Sequence, residues 1–342
     1  MRALRFHTTG RPAEVLRLDT LPDPEPGPGD VRVRLTHRPI NPADLLEVRG
    51  RYGTAPDLPA VAGHEGVGVV DRLGAGVPEE ALGQRVVPLD AGPTWQTHLV
   101  AHPRDLLAVP EGLPDEAAAQ LFVNPLTAWL LVDQVGRQHR GVLPEGAWLV
   151  QSAGATTVGR LVVQLARHVG ARSVSLVRRA SDVALLERLG ADAVIVVGDE
   201  FDGRAARAQI RAATGGASIR LGIDAVGGAT GALVASALGE GGVLLSYGVL
   251  SGRPLPLDVG RVIFRRLTVR GVWRTRWFAT APRAVSQAAL VHLADLIAQG
   301  VLTLPVAGTY DLAEIAGALA HQARPGRRGK VLLTLEQPRF AR

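Results

Sequence analysis

A strand, a turn of small residues and a helix follow one another over residues 147–169, and this segment constrains the fold more than any other. Residues 147–151 form a short apolar run that predicts a buried strand, and residues 158–169 carry apolar side chains at the spacing of one helical face. The turn between them, residues 152–157, contains only small side chains. Such a unit opens a parallel dinucleotide-binding sheet, because a pyrophosphate can approach the unpaired N–H groups at the helix N-terminus.

The turn matches the Gly-x-Gly-x-x-Gly pattern of dinucleotide-binding sheets in part. Gly154 and Gly159 occupy its first and third positions, and Thr156 replaces the middle glycine. We predict that the turn and the start of the helix hold the cofactor. The predicted contacts are Gly154, Ala155, Thr156, Thr157, Val158 and Gly159.

Two arginines follow the next predicted strand, residues 173–177, and indicate which dinucleotide is bound. Arg178 lies nineteen residues after Gly159, where an NAD-binding protein carries an acidic residue for the ribose 2′-hydroxyl. A guanidinium group suits a 2′-phosphate instead. Arg178 and Arg179 therefore predict NADPH; the alternative is that both are ordinary solvated arginines.

Composition limits the class of protein. The chain has 342 residues, of which 46% are hydrophobic, and is long enough for about two domains. It contains no apolar run of about 18 residues and no signal-peptide pattern near Met1, so we expect a cytoplasmic protein that makes no membrane contact. The net charge of +6 suits a polyanionic ligand. Because no DNA- or RNA-binding motif occurs, a nucleic-acid partner is not predicted.

The pattern of predicted strands and helices along the chain predicts an α/β protein with three segments. Residues 1–123 are rich in glycine, proline and short alternating strands, which favours a β-rich domain. In residues 124–274, helices alternate with apolar strands, which predicts a doubly wound parallel Rossmann sheet. Residues 275–342 are expected to return to the first domain and complete it, with the active site in the cleft between the domains.

This order of parts resembles the medium-chain dehydrogenase/reductase family, and the Asn-Pro-Ala-Asp string at residues 41–44 and the Gly-His-Glu-Gly string at residues 63–66 support that resemblance. It implies a GroES-like fold for the first domain, which would be the catalytic one. The zinc-dependent branch of the family holds its metal with cysteine at the position of Asn41 and histidine at that of His64. Since the chain has no cysteine, we predict a metal-free site in which His64 is hydrogen-bonded within the fold.

Several further strings resemble the 2-enoyl thioester reductases of the mitochondrial type. They are Gly-Arg-Tyr-Gly at residues 50–53, Ala-Gly-Pro-Thr-Trp at 91–95, Asn-Pro-Leu-Thr-Ala at 124–128, Tyr-Gly at 247–248, the tryptophans at 273 and 277, and the single lysine, Lys330. Quinone oxidoreductases share some of these features. His64 departs from the usual residue of the reductase subfamily, and residues 137–143 match nothing that we can assign.

The resemblance assigns the chemistry to a few positions. Reduction of a 2-enoyl thioester places negative charge on the thioester oxygen until a proton reaches Cα, so the protein needs a donor. Tyr52 is the candidate, because a phenol with a pKa of about 10 is protonated at neutral pH; a plain surface tyrosine is the alternative. Asn124, as a catalytic residue, and Thr127 would line the nicotinamide, although both could simply begin a helix.

The resemblance also implies further NADPH contacts and a homodimer formed through the outer strands of the Rossmann sheet. These contacts are Tyr247, Gly248, Val249, Leu250, Val272, Trp273 and Lys330. The tryptophan could instead be interface core, and the lysine could be an exposed residue at the head of a strand.

Three functions remain open from the sequence. The chain could be an NADPH-dependent reductase of acyl-CoA or acyl-ACP enoyl thioesters, a related quinone or enone reductase, or an NADPH-binding protein without catalysis. A fold of this kind supports many reductions, so the fold alone does not choose among them.

Overall fold

The computed structural model describes residues 1–137 and 143–335, so residues 138–142 of the unassigned segment lie outside the described residues. The chain divides into two compact units. Unit 1 consists of residues 1–123 and 287–342, and unit 2 of residues 124–286.

The first part of unit 1 is built mainly from strands. These are β1 (Arg2–Phe6), β2 (Leu16–Thr20), β3 (Val31–Pro39), β4 (Ala60–Val61), β5 (Val67–Leu73), β6 (Arg85–Pro88), β7 (His98–Ala101) and β8 (Leu106–Ala108). The helices are α1 (Pro12–Val15), α2 (Pro42–Val48) and α3 (Asp115–Ala118), with 3₁₀ turns at Glu79–Ala81 and Pro103–Asp105. Burial alternates along the first part of β3, as expected for an antiparallel strand with one face in the core.

Unit 2 alternates strands with helices. The strands are β9 (Trp148–Gln151), β10 (Arg172–Val177), β11 (Ala193–Val196), β12 (Ile219–Asp224), β13 (Leu238–Ser246) and β14 (Thr268–Gly271). The helices are α4 (Asn124–Trp129), a π-helical stretch at Leu130–Arg137, α5 (Thr157–His168), a 3₁₀ turn at Ala180–Asp182, α6 (Val183–Leu189), α7 (Gly203–Ala213), α8 (Gly228–Ala237), α9 (Val259–Phe264) and α10 (Arg274–Thr280).

The strands of unit 2 form one parallel sheet in the order β11-β10-β9-β12-β13-β14. This is the 3-2-1-4-5-6 order of a Rossmann sheet, so the predicted fold class is confirmed. All four residues of β9 are buried, since a central strand of such a sheet has helices on both faces.

The last elements return to unit 1, starting within the first of them at residue 287. They are α11 (Arg283–Ala298), β15 (Val306–Asp311), a 3₁₀ turn at Leu312–Glu314, α12 (Ile315–Ala323) and β16 (Lys330–Thr334). Strand β16 pairs antiparallel with β3, with Leu333 opposite Arg38. The C-terminal segment thereby extends the larger sheet of unit 1, in the order β15-β16-β3-β5-β6-β8 with β7 also paired to β3.

The second boundary of unit 2 lies later than the sequence predicted. Residues 275–286 belong to unit 2 and not to the C-terminal return. Helix α10 is anchored there because the rings of Trp277 and Trp129 are 5.7 Å apart in an edge-to-face arrangement, and Arg274 is buried. Nothing in the local pattern of residues 275–286 indicated that aromatic contact.

Within residues 1–137 and 143–335, no helix combines the length and the apolar character needed to cross a bilayer.

Candidate active site

The turn between β9 and α5 is closed by hydrogen bonds of Thr156. Its side chain accepts a hydrogen bond from the Gly159 N–H at 3.2 Å, as an N-cap residue does, and donates to the Ala153 carbonyl at 2.8 Å. Threonine at the middle position of the glycine motif therefore stabilises the start of the helix, which a glycine could not do with a side chain.

The two glycines of the turn are required by close packing. A Cβ atom on Gly159 would lie 2.6 Å from the carbonyl oxygens of Ala153 and Gly154, and one on Gly154 would lie 2.8 Å from Ser175 Cβ. Only glycine lets the turn pack this closely on α5 and β10. The first turn of α5, with Thr157 and Val158 half-buried, remains accessible. This cradle of small residues at a helix start fits a dinucleotide pyrophosphate.

Arg178 and Arg179 have different surroundings after β10. The Arg178 side chain is 74% exposed and its NH1 lies 3.7 Å from Asp199 Oδ1. Arg179 Nε instead donates to Asp182 at 3.1 Å, across the 3₁₀ turn that precedes α6. Of the two, Arg178 is the side chain with a guanidinium turned to solvent at the position predicted to meet a 2′-phosphate.

The remaining predicted contacts in unit 2 follow the carboxyl ends of β13 and β14. The Tyr247 phenol lies near the Thr156 side chain; burial raises the pKa of Tyr247, and the interaction with the Thr156 hydroxyl opposes the shift. Gly248 is tightly packed, since a Cβ there would lie 2.7 Å from the Ala225 carbonyl oxygen. The side chains that follow are open to solvent: Val249 is 61%, Leu250 54% and Trp273 40% exposed, and Val272 is half-buried.

Ligands of doubly wound sheets bind outside the carboxyl ends of their strands. The structure therefore brings the Thr156 turn and Tyr247 together at the edge of unit 2 where a dinucleotide is expected. A buried carboxylate supports this edge: Asp224 at the end of β12 accepts hydrogen bonds from Ser152 Oγ at 2.6 Å and from the backbone N–H of Gly227 at 2.9 Å.

Asn124 and Thr127 both lie in α4, at the beginning of unit 2. The Asn124 side chain is buried, with 4% of the residue exposed, and Thr127 is half-buried. Their predicted position beside the nicotinamide stays a prediction.

In unit 1, the Asn-Pro-Ala-Asp string begins α2 with a capping box. Asp44, fully buried, accepts the Asn41 backbone N–H at 2.6 Å through Oδ2. Its other oxygen, Oδ1, accepts the backbone N–H of His64 at 3.0 Å and contacts His64 Nδ1 at 2.6 Å. His64 is thus hydrogen-bonded within the fold.

Tyr52 lies in an irregular segment between α2 and β4, and is half-buried. The glycines on its loop, Gly50 and Gly53, have φ angles of +68° and +62°, a conformation that glycine adopts without strain. The Tyr52 ring packs edge-to-face against the His64 ring, with centroids 5.0 Å apart and an interplanar angle of 75°. The side chain is therefore a partner of the Asp44–His64 pair and not an isolated surface tyrosine.

A second set of buried hydrogen bonds in unit 1 joins Asn41, Glu65 and Lys330. Asn41 Nδ2 donates to Glu65 Oε1 at 2.7 Å, the Val123 N–H donates to Glu65 Oε2 at 2.7 Å, and Lys330 Nζ donates to Asn41 Oδ1. Burial raises the pKa of Glu65, which the Lys330 charge opposes, and lowers the pKa of Lys330.

Lys330 is therefore not the exposed lysine of the alternative interpretation: it is 2% exposed and bonded inside unit 1. A direct contact with NADPH stays a prediction. Asn41, which the resemblance places at the position of a metal-binding cysteine, is hydrogen-bonded here to Glu65 and Lys330. In the described part of the chain, no three His, Asp or Glu side chains converge as a metal-binding group.

Sequence reasoning missed Asp44 and Glu65. The Asn41-to-Asp44 spacing of a capping box was a usable signal for the first, whereas Glu65 owes its role to partners from the N-cap of α2, from residue 123 and from β16, which only folding brings together.

Comparisons with known proteins agree with both units. Residues 27–110 match the alcohol dehydrogenase GroES-like domain, and residues 157–290 match a family described as zinc-binding dehydrogenase. The human mitochondrial enoyl-[acyl-carrier-protein] reductase is 32% identical over 98% of this chain and 89% of its own length. The Xenopus tropicalis protein of the same name is 33% identical over 95% of this chain and 92% of its own length.

Two solved structures are similar throughout. The Etr1p complex with NADP and crotonyl-CoA superposes with a TM-score of 0.83 at 25% identity, covering 97% of this chain and 99% of that one. A mycobacterial quinone oxidoreductase superposes with a TM-score of 0.83 at 27% identity, covering 98% and 99%.

The predicted cytoplasmic location is wrong on this evidence, because the relatives from human, cattle and Xenopus tropicalis are named mitochondrial enzymes. The prediction depended on the absence of a recognisable targeting pattern near Met1, which is no evidence of location.

With both units matched to their family domains and near-complete coverage of relatives above 30% identity, this chain belongs to the medium-chain dehydrogenase/reductase family and is a relative of the mitochondrial enoyl-[acyl-carrier-protein] reductases.

Proposed function

We propose that this chain reduces the C2=C3 double bond of a 2-enoyl thioester and that Tyr52 is its proton donor. The chain is an NADPH-dependent medium-chain reductase, since its relatives are named enoyl-[acyl-carrier-protein] reductases and a structural neighbour is a complex with NADP and crotonyl-CoA. The name of that complex supports an enoyl thioester as the substrate.

The residues of unit 2 fit the cofactor. The small-residue turn at Gly154–Gly159 would hold the pyrophosphate, Arg178 the 2′-phosphate, and the segment from Tyr247 to Leu250 the nicotinamide half. When bound, NADPH supplies the hydride that is transferred to Cβ of the substrate. Asn124 and Thr127 are proposed to line the nicotinamide.

The protein's own task is to stabilise charge and to deliver a proton. As Cβ is reduced, negative charge develops on the thioester oxygen, and the Tyr52 hydroxyl donates a hydrogen bond or a proton toward it. The proton ends on Cα, so that one hydrogen has been added to each carbon of the former double bond. The resulting tyrosinate then regains a proton from water.

The observation that carries this proposal is the environment of Tyr52. Its ring is half-buried on a glycine-flanked loop and contacts a histidine anchored by a fully buried carboxylate. A tyrosine with only a surface role gains little from such an arrangement.

A quinone or enone reductase is the second candidate, since a mycobacterial quinone oxidoreductase is as similar in structure as the Etr1p complex. A non-catalytic NADPH-binding protein is the third. We also propose that two copies of the chain form a homodimer.

The test is NADPH oxidation, followed by the absorbance of the reduced nicotinamide, with crotonyl-CoA beside a panel of quinones. Tyr52→Phe removes only the hydroxyl, so turnover of crotonyl-CoA should fall by about 10²- to 10⁴-fold with nearly unchanged NADPH affinity. Reduction of a quinone should fall less, because it depends less on that donor.

The matched control is Tyr310→Phe, which removes the hydroxyl that is hydrogen-bonded to His321 in the same unit. Full crotonyl-CoA activity in Tyr52→Phe means that the proposed donor is wrong. Wild-type protein that reduces quinones but no enoyl thioester supports the second candidate, and tight NADPH binding with no turnover supports the third.

A further inference from the structure

The contact between Tyr52 and His64 gives the histidine itself a place in the proposed reaction. Residues 49–59, which contain Tyr52, form neither helix nor strand, so backbone hydrogen-bond ladders do not fix the direction of the phenol. A donor must nevertheless be held within about 0.5 Å of its productive position. The edge-to-face contact with the His64 ring at 5.0 Å supplies a fixed surface for it.

His64 is itself rigidly held. Asp44 Oδ1 binds both its backbone N–H, at 3.0 Å, and its ring Nδ1, at 2.6 Å, and the Asp44 carboxylate is fully buried. A carboxylate accepts hydrogen bonds, so Nδ1 carries the proton and the orientation of the ring is fixed. The other ring nitrogen, Nε2, lies 3.8 Å from Glu47 Oε2 on the same helix as Asp44.

Asp44 is fixed in turn by α2. It is the N3 residue of the capping box, and its second oxygen accepts the Asn41 N–H at 2.6 Å. The arrangement therefore runs from the N-terminus of a helix, through a buried carboxylate and an imidazole, to the ring of Tyr52. Groups that hold a reacting residue in place are a recurrent requirement of active sites.

We infer that His64, anchored by Asp44, is a positioning residue that holds the Tyr52 phenol in its productive orientation. The inference rests on the proposed function, because it requires Tyr52 to be the donor. It assigns a use to the bond between His64 and the buried Asp44 carboxylate.

A double-mutant cycle tests it with the full-length protein. His64→Asn keeps an amide N–H near the position of Nδ1, and so a bond to Asp44, but removes the ring that contacts Tyr52. We expect kcat for crotonyl-CoA to fall by about 10- to 100-fold, with KM and the dissociation constant of NADPH changed by less than about twofold. In the Tyr52→Phe background the same substitution should lower kcat by less than about twofold, because the group that it positions is already absent.

The cycle separates positioning from a structural role. A structural defect would lower kcat by the same factor in both backgrounds, and that additive result overturns the inference, as does wild-type kcat in His64→Asn. If Tyr52→Phe alone keeps full activity, the proposed donor fails and the inference fails with it. If Tyr52→Phe is impaired but the cycle is additive, only the inference fails.

A second variant covers the case in which His64→Asn does not fold. His64→Phe keeps a ring against Tyr52 and removes the nitrogen that binds Asp44, so the same cycle can be measured with it. A fall in kcat that is absent in the Tyr52→Phe background supports the anchoring of the ring by Asp44, whereas an equal fall in both backgrounds, or wild-type kcat, overturns the inference.

Discussion

At the scale of single residues, Arg178 and Arg179 show how neighbours with the same side chain can have different roles. Arg179 is bonded to Asp182 at the start of a helix, which is a structural contact. Arg178 is exposed, and its guanidinium lies 3.7 Å from the carboxylate of Asp199, which is itself exposed. An exposed ion pair of this kind contributes little to stability, so the guanidinium can be turned to a ligand at small cost.

We therefore predict that Arg178 sets the choice of cofactor. NADPH should bind at least about tenfold more tightly than NADH, a difference of about 1.4 kcal/mol. Arg178→Asp should weaken the binding of NADPH much more than that of NADH, because it removes the guanidinium group and its carboxylate repels the 2′-phosphate. Titration calorimetry with both cofactors measures this, with Arg188→Ala, an exposed arginine on α6, as the control. Equal dissociation constants in the wild type would contradict the prediction.

At the scale of elements, the strand-turn-helix unit depends on the closeness of its backbone. Gly159→Ala would place a methyl group 2.6 Å from two carbonyl oxygens, so the turn or α5 must shift. We expect a loss of about 1–3 kcal/mol in the free energy of unfolding and weaker NADPH binding. Denaturant unfolding and calorimetry measure the two effects.

A glycine elsewhere in unit 2 provides the matched control for that substitution. A Cβ atom on Gly203, at the first position of α7, meets nothing within 4 Å, so Gly203→Ala should leave stability unchanged or slightly raised. If Gly159→Ala is as stable as Gly203→Ala and binds NADPH normally, the close packing of the turn is not what selects glycine.

Two partly buried histidines on the paired strands β3 and β7 should make the stability of the protein depend on pH. Burial lowers the pKa of His37 on β3, and it likewise lowers the pKa of His98 on the paired strand β7. The unfolded chain, in which histidine has a pKa of about 6.5, therefore binds more protons than the folded one. The free energy of unfolding should decrease as the pH falls from about 7 through 6.5 toward the lowered pKa values of the folded state. Above that pH range both histidines are neutral in both states, so the free energy of unfolding should be at its full value there.

Unfolding in denaturant at several pH values across that window, for the wild type and for His37→Asn with His98→Asn, measures this contribution. The double variant should lose less stability than the wild type as the pH falls. A pH dependence identical in the two proteins would show that these histidines are not its source.

At the scale of the whole molecule, the outer edge of the Rossmann sheet predicts self-association. Strand β14 ends the sheet and all four of its residues are exposed. Helix α9 also presents apolar side chains to solvent, with Val259 65%, Ile263 60% and Phe264 83% exposed. An unpaired strand edge beside exposed apolar side chains is typical of an interface.

We predict that the wild type is a homodimer at micromolar concentration by light scattering and that Phe264→Asp shifts it toward monomer. Leu82→Asp, which charges an exposed leucine of unit 1, should leave the dimer intact. A wild type that is only monomeric contradicts the prediction. A structural neighbour, the Etr1p/Etr2p protein from Candida tropicalis, is described as a heterodimer.

Removal of metal is a further test at this scale. The chain has no cysteine, and the Asn41 side chain is hydrogen-bonded to Glu65 and Lys330. We therefore predict that exhaustive chelation leaves NADPH-dependent activity intact. Activity lost on chelation and restored by zinc would overturn the metal-free prediction.

The sequence by itself determined the Rossmann sheet, because its signals are local. Strand and helix periodicity, the glycines of one turn and the arginine nineteen residues later all lie within one crossover unit, so their spacing along the chain is also their relation in space. Tertiary structure alone decided the surroundings of unit 1's polar residues. Lys330 meets Asn41 across 289 positions of sequence, Asp44 meets His64 across 20, and β16 completes a sheet begun by β3. A buried polar group takes its role from the partner that satisfies it, and when that partner is distant in the chain, no local pattern specifies it.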